Sequence, residues 1–102
     1  MSPEFEAIRA GYIGRDGITE KKMFGATGLH VNTKCFAMEY KGELVVKLPA
    51  ARVDALVAEG VAERFDPGHG RRMKEWAAVP AVHSGRWPAL SAEAHDFLKA
   101  LG

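Results

Sequence analysis

Cys35-Phe36-Ala37-Met38-Glu39-Tyr40-Lys41-Gly42-Glu43-Leu44-Val45-Val46-Lys47-Leu48-Pro49 is the stretch whose reading decides the fold. Two runs rich in β-formers flank Lys41-Gly42, a dipeptide suited to a two-residue turn. In strict alternation Phe36, Met38 and Tyr40 share one face of the first strand, and Cys35, Ala37 and Glu39 the other. On the second, Leu44, Val46 and Leu48 oppose Glu43, Val45 and Lys47. One side of such a hairpin is strongly apolar and the other mixed, as in an antiparallel sheet.

Working outward, Ile18 to Phe24 reads as a strand, Gly25-Ala26-Thr27-Gly28 as a turn, Leu29 to Val31 as a strand and Asn32-Thr33-Lys34 as a tight connection. Towards the C-terminus, Pro49 opens a helix with the apolar stripe Val53, Leu56 and Val57, capped at Gly60. Val61 to Phe65 is a further short strand, Asp66 to Gly70 a loop, and Arg71 to Val79 extended, with Met73 and either Trp76 or Ala77 turned inward. Ser2-Pro3-Glu4 starts an N-terminal helix whose face is Phe5, Ile8, Tyr12 and Ile13. Ala81 to Pro88 is irregular, and Ser91 caps a last helix bearing Leu90, Ala94, Phe97, Leu98 and Leu101. The fold class is therefore α+β: an antiparallel meander of four to six strands flanked by N-terminal, middle and C-terminal helices.

The chain of 102 residues fits one domain, 1–102, with enough apolar content (47%) for one core. A single cysteine excludes an intramolecular disulfide and fits a reducing compartment. No apolar run is long enough to span a membrane, and the acidic N-terminus does not read as a signal peptide. A cytoplasmic domain with no membrane association is expected. The net charge of +1 gives no support to nucleic-acid binding by bulk charge, which leaves a local basic patch as the route to such a partner.

The ordered set M-F-G-A-T-G (Met23 to Gly28), F-A (Phe36-Ala37), L-V-V-K-L (Leu44 to Leu48), Gly70-Arg71 leading to Met73 and Trp76, and Val79-Pro80 resembles the N-terminal domain of the TfoX/Sxy competence regulators. The resemblance covers about 80 residues, most of the chain. Where family members often show two adjacent glycines after the Met-Phe pair, this chain has Gly25-Ala26. The resemblance implies a curved antiparallel sheet flanked by helices, and a regulatory or protein-interaction role without catalytic residues. Full-length regulators carry a second, helical C-terminal domain that is the usual nucleic-acid-facing part. The expectation here is the N-terminal type standing alone. Within the motif, Met23, Phe24, Gly25, Gly28, Gly70, Met73 and Trp76 read as structural, with Gly25 and Gly28 as hairpin glycines permitting positive φ.

No catalytic constellation emerges. His30, His69, His83 and His95 are scattered without zinc-ligand spacing, so no metal or other cofactor is expected. Cys35 reads as a small core residue, since neither Lys34 nor Phe36 supplies an obvious thiolate environment beyond one cation. Asp54, Glu59, Glu63 and Asp66 read as solvated charges. The polar cluster that stands out is His69, Arg71, Arg72 and Lys74, where glycines expose backbone amides and two arginines can fork onto a phosphate or carboxylate, with Lys21 and Lys22 as neighbours if the first strand lies near. Trp87 is a candidate interface aromatic. The expected function is a non-enzymatic module with a protein partner linked to transcription, able to form a homodimer through an open sheet edge. The alternatives are a small-ligand-binding domain or an unrecognised enzyme with a pocket under the sheet, or nucleic-acid binding through the loop 69–74.

Overall fold

The computed structural model describes residues 2–23 (for Met23 the backbone alone), 26–66 and 73–101. Its elements run α1 (Pro3–Tyr12), β1 (Ile18–Met23), β2 (Ala26–Val31), β3 (Lys34–Tyr40), β4 (Glu43–Lys47), α2 (Ala50–Glu59), β5 (Glu63–Phe65), β6 (Met73–Val79), a 3-10 segment (Ala81–Arg86) and α3 (Trp87–Leu101). The six strands form one antiparallel sheet in the order β1-β2-β3-β4-β6-β5. The expected α+β fold is present, with all six strands.

The hairpins follow from their turn residues. Asn32 and Thr33 sit at φ 50° and 71°, and Lys41 and Gly42 at φ 50° and 81°. Positive φ at both central residues matches the right-handed twist of the flanking strands. At the other end of the sheet, Gly60 ends α2 at φ 79°, its amide donating to the carbonyls of Leu56 and Val57.

The sheet departs from simple alternation at one place. Leu29 pairs with Ala37, but the next residue, His30, pairs with Cys35. Phe36 is therefore an extra residue in β3, a β-bulge. The bulge turns Phe36 and Ala37 to the same side, where both are fully buried in the main core with Leu44, Val46, Ala77 and Val79. Cys35 and Met38 fall on the opposite side with Val45, Trp76, Ala78 and Phe65. The expectation that Phe36 shares a face with Met38 and Tyr40 is corrected by this one inserted residue.

All three helices contribute to the main core: Phe5 and Ile8 from α1, Val53 and Leu56 from α2, Trp87, Leu90, Ala94 and Leu98 from α3. The second cluster draws on strands alone. Trp76 and Ala77 are both buried, on opposite faces of β6. α1 is held at its start by Ser2, whose Oγ accepts from the Phe5 amide at 3.2 Å and whose own amide donates to Glu39 Oε1 at 2.8 Å. Ile13, expected on the apolar face, lies beyond the helix end and is 41% exposed. α2 is tied to its surroundings by charge. Arg52 forks onto Glu93 of α3 at 2.8 and 3.1 Å, Asp54 accepts from Arg64 of β5, and Glu59 accepts from Arg86 at 3.2 Å.

The C-terminal segment is more regular than its sequence suggests. Ala81–Arg86 forms a 3-10 segment and α3 begins at Trp87, one turn earlier than a cap at Ser91 requires. Pro88 causes no break because the first helical turn lacks intrahelical partners for its amides anyway. Ser91 lies inside α3, fully buried, and its Oγ has no hydrogen-bond partner among the described residues. This position makes the two serines behave oppositely on truncation. Ser2→Ala should cost about 1 kcal/mol by loss of a cap, whereas Ser91→Ala should be neutral or stabilising because it removes an unsatisfied buried hydroxyl. Chemical denaturation of the two variants checks this, and a loss of about 1 kcal/mol for Ser91→Ala would restore it as a cap.

Candidate functional site

β1 is an edge strand, paired with β2 on one side only. Its residues alternate between the two faces: Ile18 packs on the main core, and Glu20 lies on the same side. Glu20 is claimed by Arg9 of α1, with Nη2 to Oε1 at 3.1 Å and a second short contact from Nε to Oε2. The Arg9 guanidinium holds the Glu20 carboxyl below the usual range. The one acid on β1 is thus engaged by an arginine, while Lys21 and Lys22 stand exposed beside it. They are two basic residues on an open edge, Lys22 on the face of Glu20 and Lys21 on the opposite one.

Of the basic cluster expected near Lys21 and Lys22, only Lys74 lies among the described residues, and the topology sets the two lysines apart from it. Lys74 is exposed on β6, with β4, β3 and β2 between it and β1. Four strand spacings amount to ~19 Å across the sheet. The register row of Lys21 passes through Gly28, Met38 and Val45 to Ala78, not to Lys74. His69, Gly70, Arg71, Arg72, Phe24 and Gly25 lie outside the described residues.

Trp87 is not an interface aromatic. It is 1% exposed in the main core, with its indole Nε1 unpartnered among the described residues. Met73 is half-buried and Trp76 buried in the second cluster. Gly28 is structural for a different reason from the one its sequence suggests. It lies within β2, not in a turn, and is absent from the positive-φ glycines. A Cβ there would stand 3.1 Å from Cys35 Sγ and 3.5 Å from His30 Cε1. Glycine is needed as space.

That space holds a pair that the sequence alone does not bring together. His30 and Cys35 are opposite one another on β2 and β3, both buried, and both turned to the sheet face away from the helices. His30 Nδ1 is 3.3 Å from the Gly28 carbonyl, which can only accept, so Nδ1 carries the proton. Burial pushes the His30 imidazolium pKa down, with nearby Lys21 adding to the effect and the Gly28 carbonyl opposing it. Burial likewise pushes the Cys35 thiol up to about 12, the Ala37 carbonyl accepting its S–H at 3.7 Å. A neutral thiol beside a neutral imidazole is the reverse of an activated Cys–His pair. The bulge at Phe36 is what puts Cys35 here, and no motif in the sequence announces it.

The other titratable groups are dispersed. His95 packs between Tyr12 and Phe36, with ring centroids at 5.2 and 5.3 Å, and its Nδ1 lies 3.0 Å from Asp96 Oδ1. His83 lies in the 3-10 segment. Among the described residues no group of three histidine, cysteine or acidic side chains is placed to hold a metal ion. Among them, too, no helix is long and apolar enough to cross a membrane.

With this geometry in view, comparison with protein families finds that the TfoX N-terminal domain matches residues 13–95, and the chain belongs to that family. A search of curated proteins finds no match.

Two outcomes follow for the family-motif glycine and its neighbours. Gly28→Ala should cost about 1–3 kcal/mol by overpacking. Combining it with Cys35→Ala should cost less than the sum of the two single changes, since the alanine then has room; additive costs in a double-mutant cycle would contradict the contact. His30 has a folded-state pKa below its unfolded value of 6.5, so its contribution to stability is fully present above pH 6.5 and is lost as pH falls below it. The wild type should therefore lose stability between about pH 7 and pH 5 more steeply than His30→Gln, measured by urea midpoints across that range.

Proposed function

From its place in the TfoX N-terminal domain family, we propose that this protein is a non-enzymatic regulatory module of transcription-linked type, acting in the cytoplasm by binding another protein. The observation that carries the reading is the open edge of β1, where Glu20 is taken by Arg9 and Lys21 and Lys22 remain exposed. An edge strand offers a row of unpaired amides and carbonyls, and a partner segment can add to it as a further strand. The two lysines select the partner's chemistry: an extended acidic segment gains two favourable pairs, and a basic one meets repulsion. The protection of Cys35 as a thiol and of His30 as a neutral imidazole supports binding rather than covalent chemistry.

Affinity capture from the native cell with wild-type protein and with Lys21→Glu/Lys22→Glu tests the proposal. Both positions are exposed, so the fold should survive, which circular dichroism checks. A transcription-linked protein with an acidic segment should be recovered with the wild type, and its measured affinity should fall about fivefold or more in the double variant. Equal affinity in the two proteins would overturn the β1 edge as the docking site. Sedimentation showing a wild-type dimer that the variant loses would replace the partner by a second copy. A salt-steep affinity for nucleic acid lost in the variant would replace it by nucleic acid.

A further inference from the structure

The bulge has a second effect, on the opposite side of β3 from β2. The pairing of β3 with β4 runs from Tyr40↔Glu43 to Ala37↔Val46 and goes no further. Beyond that point Lys34 and Cys35 stay with β2, pairing with Val31 and His30. Lys47 stays with β6, pairing with Trp76, and the Leu48 amide donates to the Glu75 carbonyl at 3.0 Å. The sheet is forked: β2 and β3 go one way, β4 and β6 the other. Between the prongs lies a cavity of about 480 Å³. Cys35 and His30 wall it from one prong, Trp76 from the other, and α3 reaches it with Leu98 and Leu101.

We propose that this cavity is a binding site for a small aromatic or apolar carboxylate. Its size is that of pockets that take small molecules. Its lining sets an apolar part beside polar residues, and that apolar part is mostly fixed: Trp76 is 8% exposed and Leu98 2%, both packed into the two hydrophobic clusters. Its charged groups among the described residues are Lys34, Lys47 and Glu75. Lys47 Nζ lies 5.3 Å from the Trp76 ring centroid and 3.5 Å from Glu75 Oε1, which fixes its position. Lys34 is exposed at the start of β3 and shows no ion pair among the described residues. Among the described residues, two ammonium groups against one carboxylate leave one positive charge in excess beside the apolar wall. The complementary ligand has a flat apolar body to lie against Trp76 and Leu98 and one anionic group to meet Lys34. This site lies between β3 and β4, two strands from the β1 edge, and stands or falls separately from the protein-partner reading.

The test uses 1-naphthoate as probe, followed by two-dimensional proton–nitrogen NMR on the whole chain. Saturable shifts should appear at the Trp76 indole N–H and at the amides of Lys34 and Cys35, with a Kd on the order of 0.1 mM for a ligand of this size. The uncharged 1-naphthalenemethanol should bind about fivefold more weakly or worse, as should naphthoate to the Lys34→Glu variant. Leu101→Asp places an acid on a residue that is 59% exposed and should weaken naphthoate similarly without unfolding the chain. Three results would overturn the site: no saturable shift up to about 5 mM, shifts confined to residues away from the fork, or equal affinity for naphthoate and its alcohol. The comparison of the two probes needs no variant, so it holds even if a substitution disturbs the fold.

Discussion

The insertion of Phe36 into β3 against a single step on β2 is the constraint on which the rest of this structure depends. A fully buried phenyl ring is worth several kcal/mol of transfer free energy, roughly 1.5–3 for the side chain alone. Ring contacts add to it, for Tyr12 and His95 both meet Phe36 at centroid distances of 5.1 and 5.3 Å. In strict alternation this ring would face away from the helices, and the seam between α1 and α3 would lack its filling. The bulge reconciles the two by leaving one residue without a ladder partner. Burying the ring outweighs that loss, and the register of everything before it shifts accordingly.

Three consequences spread from that shift. Cys35 moves to the face away from the helices and meets His30, for which Gly28 leaves the room. β3 and β4 part company below Ala37, so that the sheet forks. And α3 can approach the sheet closely, with Ala94 fully buried against it and Leu98 following one turn later. The ion pairs of α2 are of another order. Arg52–Glu93, Asp54–Arg64 and Glu59–Arg86 are all at least partly solvent-exposed, so each contributes only about 0–1 kcal/mol. Their pattern matters more than their sum. They link the helix to α3, to β5 and to the 3-10 segment, which favours one docking orientation over its neighbours.

What the sequence made legible is what local chemistry governs. Ser2-Pro3, Lys41-Gly42 and Gly60 carry their conformations in their own side chains, or in the lack of one, and the elements they bound appear where expected. The run β1-β2-β3-β4 also follows from short connections between β-rich runs, whereas the entry of β6 between β4 and β5 does not. What was not legible depends on contacts between distant residues. Nothing in Cys35-Phe36-Ala37 marks a bulge, because the cause is the space between α1 and α3. Ser91 has the residue type of a cap, yet tertiary packing of Trp87 and Leu90 starts the helix a turn earlier. Trp87 follows an irregular-looking stretch, and only the folded chain shows that its ring is core. For the candidate site the same division holds: Lys21 and Lys22 are plain in the sequence, whereas their separation from Lys74 is a matter of strand order.

The direction of the pKa shifts bears on what kind of site this protein can hold. Perturbed groups gather at functional sites, but the sign of the perturbation distinguishes reactive groups from lining. A nucleophilic cysteine needs its thiolate favoured, by a cation, a helix N-terminus or a protonated histidine. Here burial is the largest influence on both Cys35 and His30, and it favours the uncharged form of each. Lys21 acts on His30 in the same sense, so this cation strengthens the neutral imidazole instead of favouring charge on it. Two neutral, weakly polar side chains beside Trp76 make an apolar wall with a little hydrogen-bonding capacity. Such a wall complements the body of a ligand, and the lysines outside it complement an anionic end.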